Sequence, residues 1–310
     1  MSETIFVVLA SADLSRPLIQ LIAGPTASGK SRLALEMARK TGAVIVNADS
    51  QQLYADLRVL SARPTEEEEA LAEHCLYGVA DAADAWSVGR WTRAVTALLA
   101  EMEGRPVVLV GGTGLYFSAL TEGLADIPDV PATVRATVEQ AFDADGEDGF
   151  RRRLAEMDPA AAAAIEIGDR QRLVRALSVA THTGRALSDW RADTVPLLPA
   201  GSWRGLVLTP ERGALYAACD ARVARMVDDG ALEEVRALVA RGLDASLPAM
   251  KAVGVREFAA HLAGETTLDQ AVAATRQATR NFAKRQLTWC RNRMILWDRS
   301  DSGPVETIKA

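Results

Sequence analysis

Cysteine is scarce in this 310-residue chain. Cys75, Cys219 and Cys290 are widely spaced, odd in number and without a C-x-x-C pair. That excludes a disulfide framework or a paired-cysteine zinc site and predicts a reducing compartment. The three histidines, His74, His182 and His261, also lack metal-ligand spacing. No apolar run approaches the roughly 20 residues of a membrane span, so no membrane association is expected. Near the N-terminus Ile5 to Ala10 is apolar and Ala10-Ser11-Ala12 resembles a leader cleavage site. Glu3 precedes that run, however, and no Lys or Arg does, so the stretch reads as a ragged terminus. These absences predict a cytoplasmic protein, expected to act as a monomer.

The last absence is local. The formal charge is −6, which argues against a polyanionic partner, yet no Asp or Glu occurs between Gln270 and Trp297. That acid-free stretch carries Arg276, Arg280, Lys284, Arg285, Arg291 and Arg293. An acidic protein with one strongly basic segment can still bind nucleic acid. Arg276, Arg280 and Lys284 fall at i, i+4 and i+8, one face of a helix, and with no acid nearby in sequence they are expected to contact an anion.

What is present begins with ordinary globular composition, 49% apolar and 25% charged. The stretch "LIAGPTASGKSRLAL", Leu21 to Leu35, has the form strand, glycine loop, helix. Gly24, Gly29, Lys30 and Ser31 stand at the spacing G-x-x-x-x-G-K-[ST] of a phosphate-binding loop of the ATP-binding, nucleotide-binding type. Backbone N–H groups of Ala27 to Ser31 are expected to face the phosphate at a helix N-terminus. Lys30 would neutralise terminal oxygens and the Ser31 hydroxyl would meet Mg2+. Continuous β-branched runs at "PLIQLIAG", "AVIVNAD" and "RPVVLVGGTG" alternate with helical segments at Lys30 to Arg39 and around Val88 to Met102. The pattern predicts a parallel sheet covered on both faces. From about Pro131 to Arg191 only helical pattern is found, punctuated by "DADGEDG" and by "MDPAA", where Asp158 reads as an N-cap and Pro159 as the first helical residue. "WRGLVLTP" returns to strand, and the tail from Glu211 is mostly helix, with stops at Gly230, Gly242 and Gly264. The expected organisation is α/β: a P-loop parallel-sheet core from residues 1–121 and 206–310, with a mostly helical inserted domain at 122–205.

The strand that should supply a metal-holding acid in a nucleotide hydrolase, "PVVLVGG", ends in glycines. "MILWD", Met294 to Asp298, reads instead as a terminal strand. Asp49 ends the second strand, beside the phosphate loop in sheets of this kind; it can serve chemistry or cap a helix. Thr113 in "GGTGLY" leaves the same choice between anion contact and cap. "DRQRLVRAL" adds further arginines at Arg170, Arg172 and Arg175.

In order, "GPTASGKS", "NADSQQLY", "LVGGTGLYF", "DRQRLVRAL", "GALEEVRAL", "MKAVGVRE" and "RQATRNFAKRQLTW" resemble the tRNA dimethylallyltransferases, also called tRNA isopentenyltransferases, of bacterial type. The likeness runs from about Leu18 to Trp289. The resemblance implies transfer of a dimethylallyl group from dimethylallyl diphosphate to N6 of the adenosine just 3′ of the anticodon, in tRNAs reading codons that begin with U. It implies a diphosphate site at Gly24, Thr26, Ala27, Ser28, Gly29, Lys30 and Ser31, with Mg2+ as cofactor at Ser31. Asp49 matches the family's general base, Thr113 an active-site position that also meets tRNA, and Arg222 in "CDARV" an arginine acting on the diphosphate. Asp49, Ser50, Gln51, Gln52, Arg135, the run Gln171, Arg172, Leu173, Val174 and Arg175, and Lys251 to Arg256 match positions that contact the tRNA anticodon stem-loop. Ala218 departs from the pattern, since many relatives carry another arginine four residues before Arg222. Three other readings remain at this level: a small-molecule kinase, a prenyltransferase acting on free adenine nucleotides, and a non-catalytic RNA-binding protein.

Overall fold

The computed structural model describes residues 19–301 except 103; the N-terminal stretch weighed as a leader lies outside them. The chain runs through β1 (Ile19–Ala23), α1 (Lys30–Thr41), β2 (Val44–Asn47), α2 (Glu66–Leu71), β3 (His74–Cys75), α3 (Val88–Glu101), β4 (Val107–Gly111) and α4 (Gly114–Thr121). Four helices follow: α5 (Ala132–Met157), α6 (Pro159–Ala164), α7 (Arg170–Thr183) and α8 (Leu187–Ala192). The chain then continues with β5 (Trp203–Leu208), α9 (Arg212–Asp228), α10 (Ala231–Ala240), a 3-10 turn at Ala249–Lys251, α11 (Val255–Leu262), α12 (Leu268–Arg293) and β6 (Asp298–Ser300).

The described residues divide into two compact units, one from residues 19–118 and 198–301, the other Ala119–Leu197. The first holds a six-stranded sheet in the order β3-β2-β4-β1-β5-β6, every pairing parallel. Leu21, Val44, Val46, Leu109 and Val207 have no exposed surface, as expected of strands covered on both sides. The strand order reverses direction about β1, which pairs β4 on one side and β5 on the other. Loops leaving β1, β2 and β4 therefore meet at the carboxyl edge, where open α/β sheets bind ligands. No helix among the described residues is long and apolar enough to cross a membrane.

The terminal strand begins at Asp298, later than the Met294–Asp298 span expected from sequence. Trp297 is used for packing instead: its ring lies against β5 where a Cβ on Gly205 would stand 2.3 Å away, and edge-on to Phe117 at 5.4 Å.

The second unit is entirely helical. Its core gathers Val138, Phe150 and Leu154 of α5 with Leu173, Val174 and Leu177 of α7. "DADGEDG" interrupts the helical run as expected: Gly146, with a non-helical φ of 65° that suits glycine, divides α5 into two helices across a kink. The expected inserted segment, 122–205, and this unit differ at both ends, since β5 already starts at Trp203. Asp158 caps α6 with Pro159 at its first position. Its Oδ1 accepts from Ala161 N at 2.9 Å and from Ser188 Oγ at 2.7 Å, and Oδ2 accepts from Ser188 N at 3.0 Å. One buried carboxylate thus joins the start of α6 to α8. Asp158→Ala should destabilise this unit by about 2–3 kcal/mol, a lost cap plus stranded buried donors. Hydrogen exchange across residues 159–192 checks this: faster exchange is expected there, and unchanged exchange would show that water replaces the carboxylate.

Candidate active site

The phosphate loop leaves β1 after Ala23. Ala27 and Gly29 adopt left-handed φ of 62° and 83°, which turns the chain into α1. Gly24 has no room for a side chain: a Cβ would stand 2.9 Å from Ser28 Oγ and 3.2 Å from Leu208 Cβ. Lys30, buried to 8% exposure, folds back so that its ammonium donates to Pro25 O at 3.2 Å. Ser28 Oγ is buried without a hydrogen-bond partner among the described residues.

Asp49 follows β2 by two residues and is held by Asn47. The Asn47 side chain accepts from Asp49 N at 2.7 Å and donates to Asp49 O at 3.0 Å and Leu76 O at 2.9 Å. Asp49 Oδ1 accepts from Gln51 N at 3.0 Å, whereas Oδ2 has no hydrogen-bond partner among the described residues. Thr113, after β4, fixes the next residue: its Oγ1 accepts from Ser50 N at 2.9 Å and donates to Ser50 Oγ at 3.2 Å. Thr113 is thus a positioning contact for the Asp49 turn in this structure.

Gln286 of α12 ties the two loops together. Its Oε1 accepts from Thr26 N at 2.8 Å and its Nε2 donates to Gly112 O at 3.0 Å. The glycine run after β4 exists because helix and loop approach closely. A Cβ on Gly112 would lie 2.0 Å from Gln286 Nε2, and one on Gly114 would lie 2.0 Å from Trp289 Cδ1. The sequence reading missed Gln286. Its signal was a polar residue on the buried face of α12, amid Thr275, Thr279, Ala283, Leu287 and Cys290.

A cavity of about 300 Å³ opens above the loop. Thr26 to Ser31 form its floor, Asp49, Gln51 and Gln52 one side, and residues 60–65 another. Met226, Val253 and Phe282 give it an apolar wall beside Arg222. Residues 58–62 are clamped from three directions. Glu234 accepts N–H bonds from Arg58, Val59 and Leu60 at 2.7, 2.7 and 2.9 Å. The Gln52 amide donates to Ser61 O and Ala62 O at 3.1 and 2.7 Å, and Arg222 donates to Ser61 O at 3.1 Å. Arg222 Nε is buried without a hydrogen-bond partner among the described residues. Burial lowers the Lys30 ammonium to about 8; the Asp49 carboxylate pulls it up and the Arg222 guanidinium pushes it down. Lys30, Arg222 and Asp49 therefore meet at one cavity, whose lining also includes Arg32, Arg63 and Glu68. Such a floor suits a phosphorylated ligand, which would restore the charge to Lys30 and meet Arg222.

Other expected residues fall into place unevenly. Lys251 and Arg256 are exposed on either side of Val253, which reaches the cavity. Gln52 lines the cavity with its Nε2 engaged by the 61–62 turn. Arg276, Arg280 and Lys284 follow directly after buried Thr275, Thr279 and Ala283, so their face flanks the packed seam. The expectation that no acid meets this face fails at Arg280, whose Nη1 donates to both carboxylate oxygens of Asp220 of α9 at 2.6 and 2.8 Å. The acid comes from another helix, invisible to a local scan. In the helical unit the Leu173 and Val174 side chains belong to the core, while Gln171 and Arg175 are exposed and exposed Arg172 pairs with Asp169 at 3.2 Å.

Residues 52–293 match the family model of IPP transferases. The chain is 62% identical to the tRNA dimethylallyltransferase of Phenylobacterium zucineum (strain HLK1), over 91% of this chain and 92% of that one. It is 59% identical to the tRNA dimethylallyltransferase of Caulobacter sp. (strain K31), over 94% and 93%. Among solved structures it resembles the full-length tRNA isopentenylpyrophosphate transferase of Bacillus halodurans, with a TM-score of 0.67 and 30% identity over 94% of this chain and 92% of that one. A eukaryotic dimethylallyltransferase acting on tRNA shares the fold, with a TM-score of 0.79 at 23% identity, over 93% of this chain and 74% of that one.

The lowered Lys30 carries its own test. In the free protein Lys30 loses its proton as pH rises through about 8. A bound anion raises that pKa, so binding above pH 8 must take up a proton, and affinity must fall by up to tenfold per pH unit there. Calorimetry of an alkyl diphosphate at pH 8.5–9 in buffers of different ionisation heat should show uptake approaching about one proton, lost in Lys30→Met. Heats independent of buffer would remove Lys30 from the anion site.

Proposed function

The chain belongs to the IPP transferase family, and we propose that it transfers a dimethylallyl group from dimethylallyl diphosphate to N6 of the adenosine immediately 3′ of the anticodon in tRNAs reading codons that begin with U. The observation that carries this reading is the single cavity shared by the phosphate loop, Lys30, Asp49 and Arg222. The reading includes a cytoplasmic monomer, supported by tRNA as the substrate and by every proposed catalytic group lying on one chain.

The chemistry follows from the charges. The C1–O bond of the allylic diphosphate breaks as the bond from N6 to C1 forms, and negative charge grows on the departing diphosphate. Lys30, the N–H groups opening α1 and Arg222 are fixed in advance where that charge appears, so they stabilise the transition state more than the ground state. The N6 amine is a weak nucleophile because its lone pair is delocalised into the ring. Asp49 Oδ2, left without a partner by the Asn47 and Gln51 contacts, accepts the N6 proton as the new bond forms. Leu60, Met226, Val253 and Phe282 offer apolar surface to the five-carbon chain. The target base must leave its stack to reach Asp49.

Ser31 fits a Mg2+ role, since its side chain lines the cavity next to Lys30. Mg2+ usually takes one or two protein ligands and completes its shell with phosphate oxygens and water. When bound, the ion adds positive charge against the leaving diphosphate. Ala218 removes one arginine that many relatives carry, while Lys30 and Arg222 remain as buried cations of the cavity, beside Arg32 and Arg63 in its lining.

Asp49→Asn keeps the size and the Gln51 contact but cannot take a proton. Single-turnover transfer at saturating tRNA should fall by roughly 10²–10⁴-fold while anticodon stem-loop affinity changes little. Equal losses of rate and affinity would make Asp49 a positioning residue and leave the base unassigned.

A further inference from the structure

One short turn beside the cavity binds opposite charges at its two ends. Residues 58–62 close on themselves: Ala62 N donates to Val59 O and Arg63 N to Arg58 O, both at 3.0 Å, and Ser61 Oγ donates to Leu57 O. A single helical turn leaves its leading N–H groups and trailing carbonyls without internal partners. Side chains from far along the chain take up both sets. Glu234 of α10 accepts the leading N–H groups, Oε2 from Arg58 N and Val59 N at 2.7 Å each and Oε1 from Leu60 N at 2.9 Å. At the trailing end Arg222 Nη2 donates to Leu60 O at 3.4 Å and to Ser61 O at 3.1 Å. An anion at the N–H end and a cation at the carbonyl end both complement the dipole of the turn.

The turn is part of the cavity wall, and Glu234 is not. Leu60, Ser61, Ala62 and Arg222 all line the cavity, whereas Glu234 stands behind the turn and is only half-buried. Ala62 is held at a left-handed φ of 48°, a conformation that a residue with a side chain adopts only under constraint. Strain of this kind next to a ligand cavity is consistent with a wall whose shape matters for function. Arg222 has its Nη2 spent on that wall, so the position of the turn sets the position of the guanidinium.

We propose that Glu234 is a positioning residue for the leaving diphosphate: by holding the N–H end of the 58–62 turn it fixes the carbonyls that orient Arg222 in the cavity. The proposal rests on the reading that this cavity holds dimethylallyl diphosphate. Glu234→Gln keeps the size but sets an amide NH2 against backbone N–H donors, so part of the hold is lost and the turn can shift. A shift of ~1 Å at a charge-stabilising group costs on the order of 10²-fold in rate. A carboxylate that merely capped the turn would affect folding without acting through Arg222.

The experiment is a double-mutant cycle in the full-length protein with wild type, Glu234→Gln, Arg222→Gln and the double variant. Prenyl transfer is measured in single turnover at saturating anticodon stem-loop, and affinity for inorganic diphosphate with Mg2+ by calorimetry. Stem-loop affinity and thermal unfolding are followed alongside. Glu234→Gln should slow transfer by about 10–100-fold and weaken diphosphate binding severalfold, with stem-loop affinity unchanged. Glu233→Gln, at an exposed neighbour that pairs with Arg236, should match wild type. In the Arg222→Gln background, Glu234→Gln should add less than about twofold, because the group it positions is gone. Unchanged transfer in Glu234→Gln, or losses that simply multiply in the double variant, would overturn the proposal and leave the functional reading intact. If the Gln variant does not fold, Glu234→Asp, with the same charge at shorter reach, takes its place in the cycle and is read by the same outcomes. A wild type that binds diphosphate yet transfers no prenyl group would overturn the functional reading, and the cycle in diphosphate affinity would still decide whether Glu234 acts through Arg222.

Discussion

The site depends on one buried amide. Gln286 accepts the Thr26 N–H of the phosphate loop and donates to the Gly112 carbonyl of the turn after β4. Those loops leave strands that are neighbours in the sheet, but strand pairing ends at Ala23 and Gly111. Beyond that point nothing in the ladder fixes the spacing between the loops. The amide does so from a helix more than 170 residues later in the chain, and the close approach explains why Gly112 and Gly114 cannot carry side chains. Through Thr113 the same turn holds Ser50, and Asp49 beside it. Phosphate loop and candidate base are thereby set in one frame.

Within that frame the cavity floor is electrostatically poised. Burial penalises the Lys30 charge, and the nearby Asp49 carboxylate only partly offsets the penalty. Arg222 brings a second cation whose own burial is opposed by Asp49. A site built to drive water onto a terminal phosphate needs an acid at the end of a strand to hold its metal. Here the strand beside the loop ends in glycine, and the acid at the next strand stands free at Oδ2 to take a proton. The arrangement favours displacement at carbon with diphosphate departing.

Features carried by local chemistry were legible in the sequence. The phosphate loop, the apolar strands and the Asp158–Pro159 helix start all follow from residues within a few positions of one another. Contacts between distant residues were not. Asp220 neutralising Arg280, Glu234 capping three N–H groups at 58–60, and Gln286 bridging two loops each join segments more than 50 residues apart. Helical periodicity placed Arg276, Arg280 and Lys284 on one face correctly but could not say that this face flanks a packed seam. Leu173 and Val174 match family positions said to meet tRNA, yet their side chains belong to the core; the motif fixes the helix, and its exposed neighbours are left to make contact. "MILWD" had the composition of a strand, but Trp297 is spent on the gap left by Gly205.

The central claim is that the phosphate loop holds a leaving diphosphate and turns over no nucleotide. The direct measurement incubates the protein with Mg2+, an unmodified anticodon stem-loop and dimethylallyl diphosphate labelled in both the prenyl group and the diphosphate, without any nucleoside triphosphate. Prenyl label should appear on the RNA, one for each diphosphate released. Transfer that requires ATP, or ATP cleavage coupled to product formation, would contradict the account.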